Sequence, residues 1–262
     1  MDLLLKNKKI LITGGSKGIG LACAKTLASE GADIIISSRF KENLDFALSQ
    51  IVSYKGKLHT YPADVSKQED IEGLQDFVKS NFGYIDGLVI NTGGPPMGSA
   101  FGHSDEVWLT AFYSLLMSAV RLTRYFIPEM QKRNFGRIIS ISSTGVKQPI
   151  PGLVLSNSIR MATVAYLKTL SVEVANSNVL INSILPGSTN TGRLSSLHET
   201  IAKDTGKCLD EVIAMRKKSI PAGRFAEPEY IATLAAFLLS ERNAYITGQS
   251  IAVDGGMISF PL

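Results

Sequence analysis

Eight consecutive residues near the start of the chain constrain its fold more than any others. Thr13-Gly14-Gly15-Ser16-Lys17-Gly18-Ile19-Gly20 directly follows a short apolar run, Ile10-Leu11-Ile12, and opens a helical pattern over residues 18–30. Glycines spaced Gly-x-x-x-Gly-x-Gly between a strand and a helix supply the positive φ of a tight turn and let the backbone approach a pyrophosphate. The helix N-terminus adds free N–H groups and a partial positive charge. In this context the loop predicts a dinucleotide-phosphate cradle, with Gly14, Ser16, Lys17, Gly18, Ile19 and Gly20 as its contacts.

The rest of the chain supports that reading. Apolar runs recur at 34–36, 58–61, 88–90, 138–141, 179–185 and 250–253. Most are continuous, as expected for parallel strands buried on both faces. Between them lie segments of helical length at 42–53, 68–82, 106–133, 154–176 and 228–240. This order predicts an α/β fold of Rossmann type: a doubly wound, parallel, seven-stranded sheet with helices on both faces. Such regular crossovers leave no room for a second domain, so residues 1–262 are expected to form one unit. Hydrophobic residues make up 45% and charged residues 19% of the chain, which excludes a disordered protein. Residues 188–224 break the rhythm. They are polar, with a mixed-charge helical stretch at 210–218, and they follow a strand's carboxyl end, where a substrate lid is expected.

Charge and cysteine usage narrow the function classes. The net charge of +4 is spread thinly, pointing to an anionic ligand and away from a nucleic-acid surface. Cys23 and Cys208 form no metal or redox motif, and no metal is expected. The Leu3-Leu4-Leu5 run is broken by Lys6, unlike a signal peptide. Apolar runs of about ten residues fall short of the ~20 needed to span a membrane. A cytoplasmic enzyme or binding protein is therefore expected, with no membrane partner.

Ser37, Ser38 and Arg39 end the second strand, where an NAD site carries an acidic residue for the ribose 2′-hydroxyl. Here Ser38 leaves that acid out, and Arg39 can pair with a 2′-phosphate. Lys17 adds a second cation. These features favour NADP(H).

The markers along the chain resemble the short-chain dehydrogenase/reductase family, and the resemblance covers essentially all of it. They are the glycine loop, Asp64-Val65, Asn91-Thr92-Gly93-Gly94, Ser142-Ser143, Pro186-Gly187 with Thr191, and Val253-Asp254-Gly255-Gly256. The nearest flavour is the 3-oxoacyl-acyl-carrier-protein reductases. The resemblance implies that Asp64 and Val65 lie by the adenine, Asn91 and Gly93 beside the cofactor, and Pro186, Gly187, Thr189 and Thr191 near the nicotinamide. It further implies hydride transfer between nicotinamide and a small-molecule carbonyl or alcohol. A homotetramer, or at least a dimer, is expected, with the helical segments 106–133 and 154–176 pairing between subunits and an apolar C-terminus from Ile258 to Leu262 contributing.

The family's reaction uses a Ser, a Tyr thirteen residues later, a Lys four beyond that, and a helical Asn upstream. Ser143 fits the first role. The other positions fall on Ser156, Arg160 and Leu115. An aliphatic hydroxyl is a far weaker acid than a phenol, and arginine does not relay protons near neutral pH. Loss of the general acid costs typically ~10²–10⁴-fold in rate. The expected site is therefore a non-standard one built from Ser143, Ser156 and Arg160. Lys147 and His103 are alternative donors, and Tyr166 is read as a packing residue on its helix. The rival reading is a catalytically silent NADP(H)-binding sensor or assembly subunit.

Overall fold

A computed structural model describes residues 2–52 and 54–259. Ser53, the expected end of the second helix, lies outside the described residues, as do Phe260, Pro261 and Leu262 of the apolar C-terminus. Seven strands, β1 (Lys9–Thr13), β2 (Asp33–Ser38), β3 (Leu58–Pro62), β4 (Gly87–Ile90), β5 (Gly136–Ile141), β6 (Val179–Pro186) and β7 (Ser250–Val253), form one sheet in the order β3-β2-β1-β4-β5-β6-β7. Every pairing is parallel. The doubly wound, seven-stranded sheet expected from the apolar runs is present.

Alternation along each strand divides the core in two. Ile10, Ile12, Ile34 and Ile36 face a layer made with α1 (Gly18–Ser29), α2 (Lys41–Gln50) and α9 (Pro228–Leu239). Leu11, Ile35, Leu88 and Ile138 face the other layer, made with α3 (Gln68–Phe82), α5 (Ser118–Lys132) and α6 (Val154–Val174). Successive side chains of a strand point to opposite faces, so a continuous apolar run is what two covered faces require. Each Ile or Leu so buried contributes about 1.5–3 kcal/mol.

The helical stretch expected over 106–133 is not one uniform α-helix. It begins as α4 (Asp105–Phe112), passes through a π-helical turn at Tyr113–Met117 and continues as α5. Hydroxyls draw off carbonyls at this point: Ser118 Oγ donates to Ser114 O at 2.6 Å and Thr163 Oγ1 to Leu115 O at 3.2 Å. Residues 188–224 hold two helices, where the sequence signalled one. The additional helix, α7 (Gly192–Thr205), has a weakly apolar face and buries only Leu194 and His198. The other, α8 (Leu209–Lys218), matches the mixed-charge stretch.

At the amino end of the sheet, away from the glycine loop, Asp86 ties three elements together. Its Oδ2 accepts from Lys9 N at 2.9 Å, and its Oδ1 from Arg133 Nη1 at 2.8 Å. The Arg133 guanidinium and the Lys9 ammonium lie 3.8 and 3.7 Å from the Tyr84 ring centroid. Asp86→Ala leaves Arg133 and a backbone N–H unpaired. Breaking a buried pair costs about 3–5 kcal/mol, and partial solvation of Arg133 reduces the expected loss to about 2–3 kcal/mol. Urea unfolding should show a lower midpoint at unchanged slope. Ligand binding at the opposite edge should be unaffected.

Candidate active site

The strand order reverses between β1 and β4, and ligands of open α/β sheets bind outside the carboxyl ends of strands at such a point. Thr13 and Asn91 meet here. Thr13 Oγ1 donates to Asn91 O at 2.9 Å and accepts from Asn91 N at 3.1 Å. Asn91 Nδ2 donates to Gly14 O at 2.9 Å, tethering the glycine loop to the end of β4. Gly14 has φ +56°, and a Cβ there would lie 2.6 Å from Asn91 O. A Cβ on Gly20 would lie 2.3 Å from Gly14 O, so only glycine lets the first turn of α1 pack on the loop. That turn has no side-chain cap and no acidic residue, which leaves its N–H groups available to an anion.

A cavity of about 760 Å³ opens from this loop across the carboxyl ends of β4, β5 and β6. Gly14, Lys17, Gly18 and Ile19 line it from the glycine loop. Asn91 and Gly93 line it after β4, and Pro186, Gly187, Thr189 and Thr191 after β6. Ser143, Ser156 and Arg160 stand between them. Ser16, Gly20, Ser38, Arg39, Asp64 and Val65 do not line the cavity. Ser16 is buried behind the loop and Gly20 lies in α1. Arg39 is exposed beyond the end of β2, with its guanidinium 5.5 Å from the Phe40 ring centroid. Asp64, past β3, accepts from Ser66 N at 3.0 Å and Ser66 Oγ at 2.8 Å, ordering the turn into α3.

The three side chains expected to carry the chemistry all line this cavity. Ser143 precedes a 3₁₀ turn (Thr144–Val146) and its Oγ accepts from Gly145 N at 3.0 Å, leaving its own proton free to be donated. Ser156 lies in the first turn of α6. Arg160 follows one turn later on the same face, and its Nη1 donates to Ile141 O at 2.8 Å. Burial, reinforced by the positive charge of Arg193, pulls the Arg160 guanidinium down to about 10. Leu115, in the π-turn, is buried in an apolar cluster with Leu155 and Ile159, which precede Ser156 and Arg160 by one residue and flank this face on one side.

The alternative donors are elsewhere. Lys147 lines a neighbouring groove with Gly98 and Ala100. His103 packs against Gly98, and neither residue lines the main cavity. Tyr166 shares a 2.9 Å hydrogen bond with Thr123 Oγ1 and packs against the core, as its helical position implied. Among the described residues no cluster of His, Cys, Asp or Glu could hold a metal ion. Nor is any described helix long and apolar enough to cross a membrane.

Two cationic residues of the cavity escaped the sequence reading. Arg193 of α7 donates to Gly94 O at 3.1 Å and Pro95 O at 2.8 Å, fastening the 188–224 segment to the loop after β4. Arg216 of α8 donates from Nη2 to Ser188 Oγ at 3.3 Å, while its Nε is buried without a partner. Burial lowers the pKa of both guanidiniums. The polar composition of 188–224 was their only signal, and composition does not say which face of a helix turns inward.

A parallel α/β sheet with a tethered glycine loop at its switch point and a deep cavity beside it defines a dinucleotide-fold protein with an enzyme-like site. The family profile described as Enoyl-(Acyl carrier protein) reductase matches residues 14–258. A dehydrogenase/reductase SDR family member 4 of Sus scrofa is 33% identical over 256 residues, covering 97% of this chain and 88% of that protein. A 3-oxoacyl-(acyl-carrier-protein) reductase of Thermotoga maritima is 31% identical over 254 residues, covering 97% and 99%. The crystal structure of an L-sorbose reductase from Gluconobacter frateurii, complexed with NADPH and L-sorbose, superposes with a TM-score of 0.94 at 33% identity, covering 99% and 100%. The chain belongs to the short-chain dehydrogenase/reductase family.

Proposed function

We propose that this protein is an NADP(H)-dependent oxidoreductase that interconverts a carbonyl and an alcohol at a site built from Ser143, Ser156 and Arg160. The observation that carries the reading is the single cavity that joins these three residues to the glycine loop. The cradle fits a dinucleotide: glycines at 14 and 20 let the loop pack tightly on Asn91 and α1, and the first turn of α1 presents free N–H groups. Arg39 beyond β2, with no acid at Ser38, supports the phosphorylated cofactor, as does the NADPH in the sorbose reductase structure. Bound there, NADPH supplies the hydride.

The chain's own groups act on the carbonyl oxygen. The Ser143 hydroxyl, oriented by Gly145 N, donates a hydrogen bond to it, and Ser156 offers a second hydroxyl. Arg160 remains charged at neutral pH and stabilises the alkoxide left by hydride transfer without releasing a proton; the alkoxide takes its proton from solvent water entering the open cavity, which leaves hydroxide to the bulk. Thr189 and Thr191 hold the carboxamide end, and Asp64 and Val65 flank the adenine. Residues 188–224 act as the lid of this single-domain enzyme. Exposed Leu109, Phe112 and Met161 on α4 and α6 support pairing of these helices between subunits, in a dimer or tetramer. A cytoplasmic location fits the composition.

Consumption of NADPH over a panel of aldehydes and ketones, with Arg160→Ala as control, tests the assignment. Among the described residues the cavity holds no phenol, imidazole, thiol or carboxyl group. The native kcat should therefore stay flat from about pH 6 to pH 9, because no such acid titrates there. An inflection within that range would place a proton donor outside this cavity. The same observation favours the second reading, a silent NADP(H)-binding subunit. Tight NADPH binding without turnover on any carbonyl would establish it.

A further inference from the structure

The cavity's charge is one-sided. Lys17, Arg160, Arg193 and Arg216 line it, and no Asp or Glu does. The ion pairs found among the described residues are Lys8–Glu241, Lys132–Glu129 and Arg133–Asp86, and none involves these four cations. Drawing a guanidinium even partly out of water without a counter-charge is costly, and Arg160 and Arg216 are both half-buried around this space, with Arg193 exposed at its rim.

The three arginines are not equivalent. Arg160 is bound to Ile141 O at the carboxyl end of β5. Arg193 spends both terminal nitrogens on the carbonyls of Gly94 and Pro95. Arg216 makes one long bond, 3.3 Å, to a neutral hydroxyl, and its buried Nε is unpartnered. Its fork is the one left open for a ligand. Ser219, one turn further along the chain, lines the same wall.

The cofactor's phosphates do not account for Arg216. They belong to the glycine loop after β1, and Arg216 is anchored to Ser188, just past β6. Three strand spacings separate β1 from β6, about 14 Å at ~4.8 Å each. Arg216 instead stands over the segment that carries Thr189, at the reacting end of the cavity.

We propose that the substrate carries an anionic group, a carboxylate or a phosphate, that seats on the open fork of Arg216 beside Ser188 and Ser219, in the field of Arg193 and Arg160. This rests on the oxidoreductase reading of the cavity. It deepens that reading by naming the substrate class as oxo acids or phosphorylated carbonyl compounds. Guanidinium pairs planar anions through two parallel hydrogen bonds, which lysine cannot do.

Matched substrates test the idea. NADPH consumption is compared for acetoacetate against its methyl ester, and for dihydroxyacetone phosphate against dihydroxyacetone. The anionic member of one pair should show a kcat/KM about 10–100-fold higher, the effect of a hydrogen-bonded charge pair. Which pair shows it distinguishes carboxylate from phosphate. Arg216→Met should collapse that ratio towards one, and Arg216→Lys should restore part of it. Thermal unfolding of protein saturated with NADP+, which fills the glycine loop, with added acetoacetate or inorganic phosphate gives a readout independent of turnover. One of these anions should raise Tm of the native protein, and neither should do so in Arg216→Met. Equal ratios in the native protein and Arg216→Met, or no anion-dependent Tm change in either, would overturn the anion seat. Anion-dependent stabilisation with no carbonyl reduced would overturn the oxidoreductase reading and leave the seat standing.

Discussion

Changing Ser156 to Tyr and Arg160 to Lys together should raise the rate of NADPH oxidation by an activated ketone, by up to about 10²–10⁴-fold. The two positions share one face of α6, a turn apart, and both line the cavity next to Ser143. A phenol at 156 would therefore point at the oxygen that Ser143 binds. Its pKa would be lowered by the new lysine and by Arg193, whose positive charge already lowers that of Arg160. The full gain is not expected, because Leu115 fills the apolar cluster beside this face and leaves no polar group for a relay water. NADPH affinity must be measured alongside the rate. Unchanged rate with intact binding would show that these positions do not address the reacting oxygen.

Arg39→Asp should reverse the cofactor preference. Arg39 is exposed past β2 and makes no ion pair among the described residues, so its charge is free for a 2′-phosphate. Native protein should bind NADPH at least about tenfold more tightly than NADH, ~1.4 kcal/mol. The aspartate removes that attraction, adds repulsion, and supplies an acceptor for the 2′-hydroxyl of NADH. A swing of about 100-fold in the ratio of dissociation constants is expected, read by fluorescence titration. Equal affinities in the native protein would reject Arg39 as the selector.

The legible and illegible parts of this molecule differ for physical reasons. Ile10-Leu11-Ile12 and Ile34-Ile35-Ile36 declared strands covered on both faces, because burial on two sides erases alternation. The glycine loop was legible because steric demand at Gly14 and Gly20 leaves no alternative residue. Ser143, Ser156 and Arg160 were proposed from the family resemblance, and all three line one cavity. Arg193 and Arg216 were not found. Their meaning depends on how α7 and α8 fold back over the sheet, a long-range matter that leaves no local period. Lys147 and His103 were plausible by chain distance from Ser143 and the β4 loop, but turns of the backbone carry them away from the cavity. The π-turn was equally invisible, since the hydroxyls of Ser118 and Thr163 that bond its carbonyls leave no period in the sequence.

That π-turn makes one place in the rod tolerant of a length change and the rest intolerant. Tyr113–Met117 is one residue wider than an α-helical turn, set between α4 and α5 without ending the helical rod. Deleting a single residue there would close it to an ordinary α-helical turn and leave Leu122, Phe126 and Met130 in the core. Deleting a residue at the start of α5 would instead turn everything beyond it by about 100°, the rotation of one α-helical residue, and carry those three side chains out of the core together. Viable insertions and deletions among natural variants should therefore fall in the exposed 99–102 loop and at 113–117, and be absent from 118–132. Substitutions, by contrast, should be tolerated on the solvent side of the same rod.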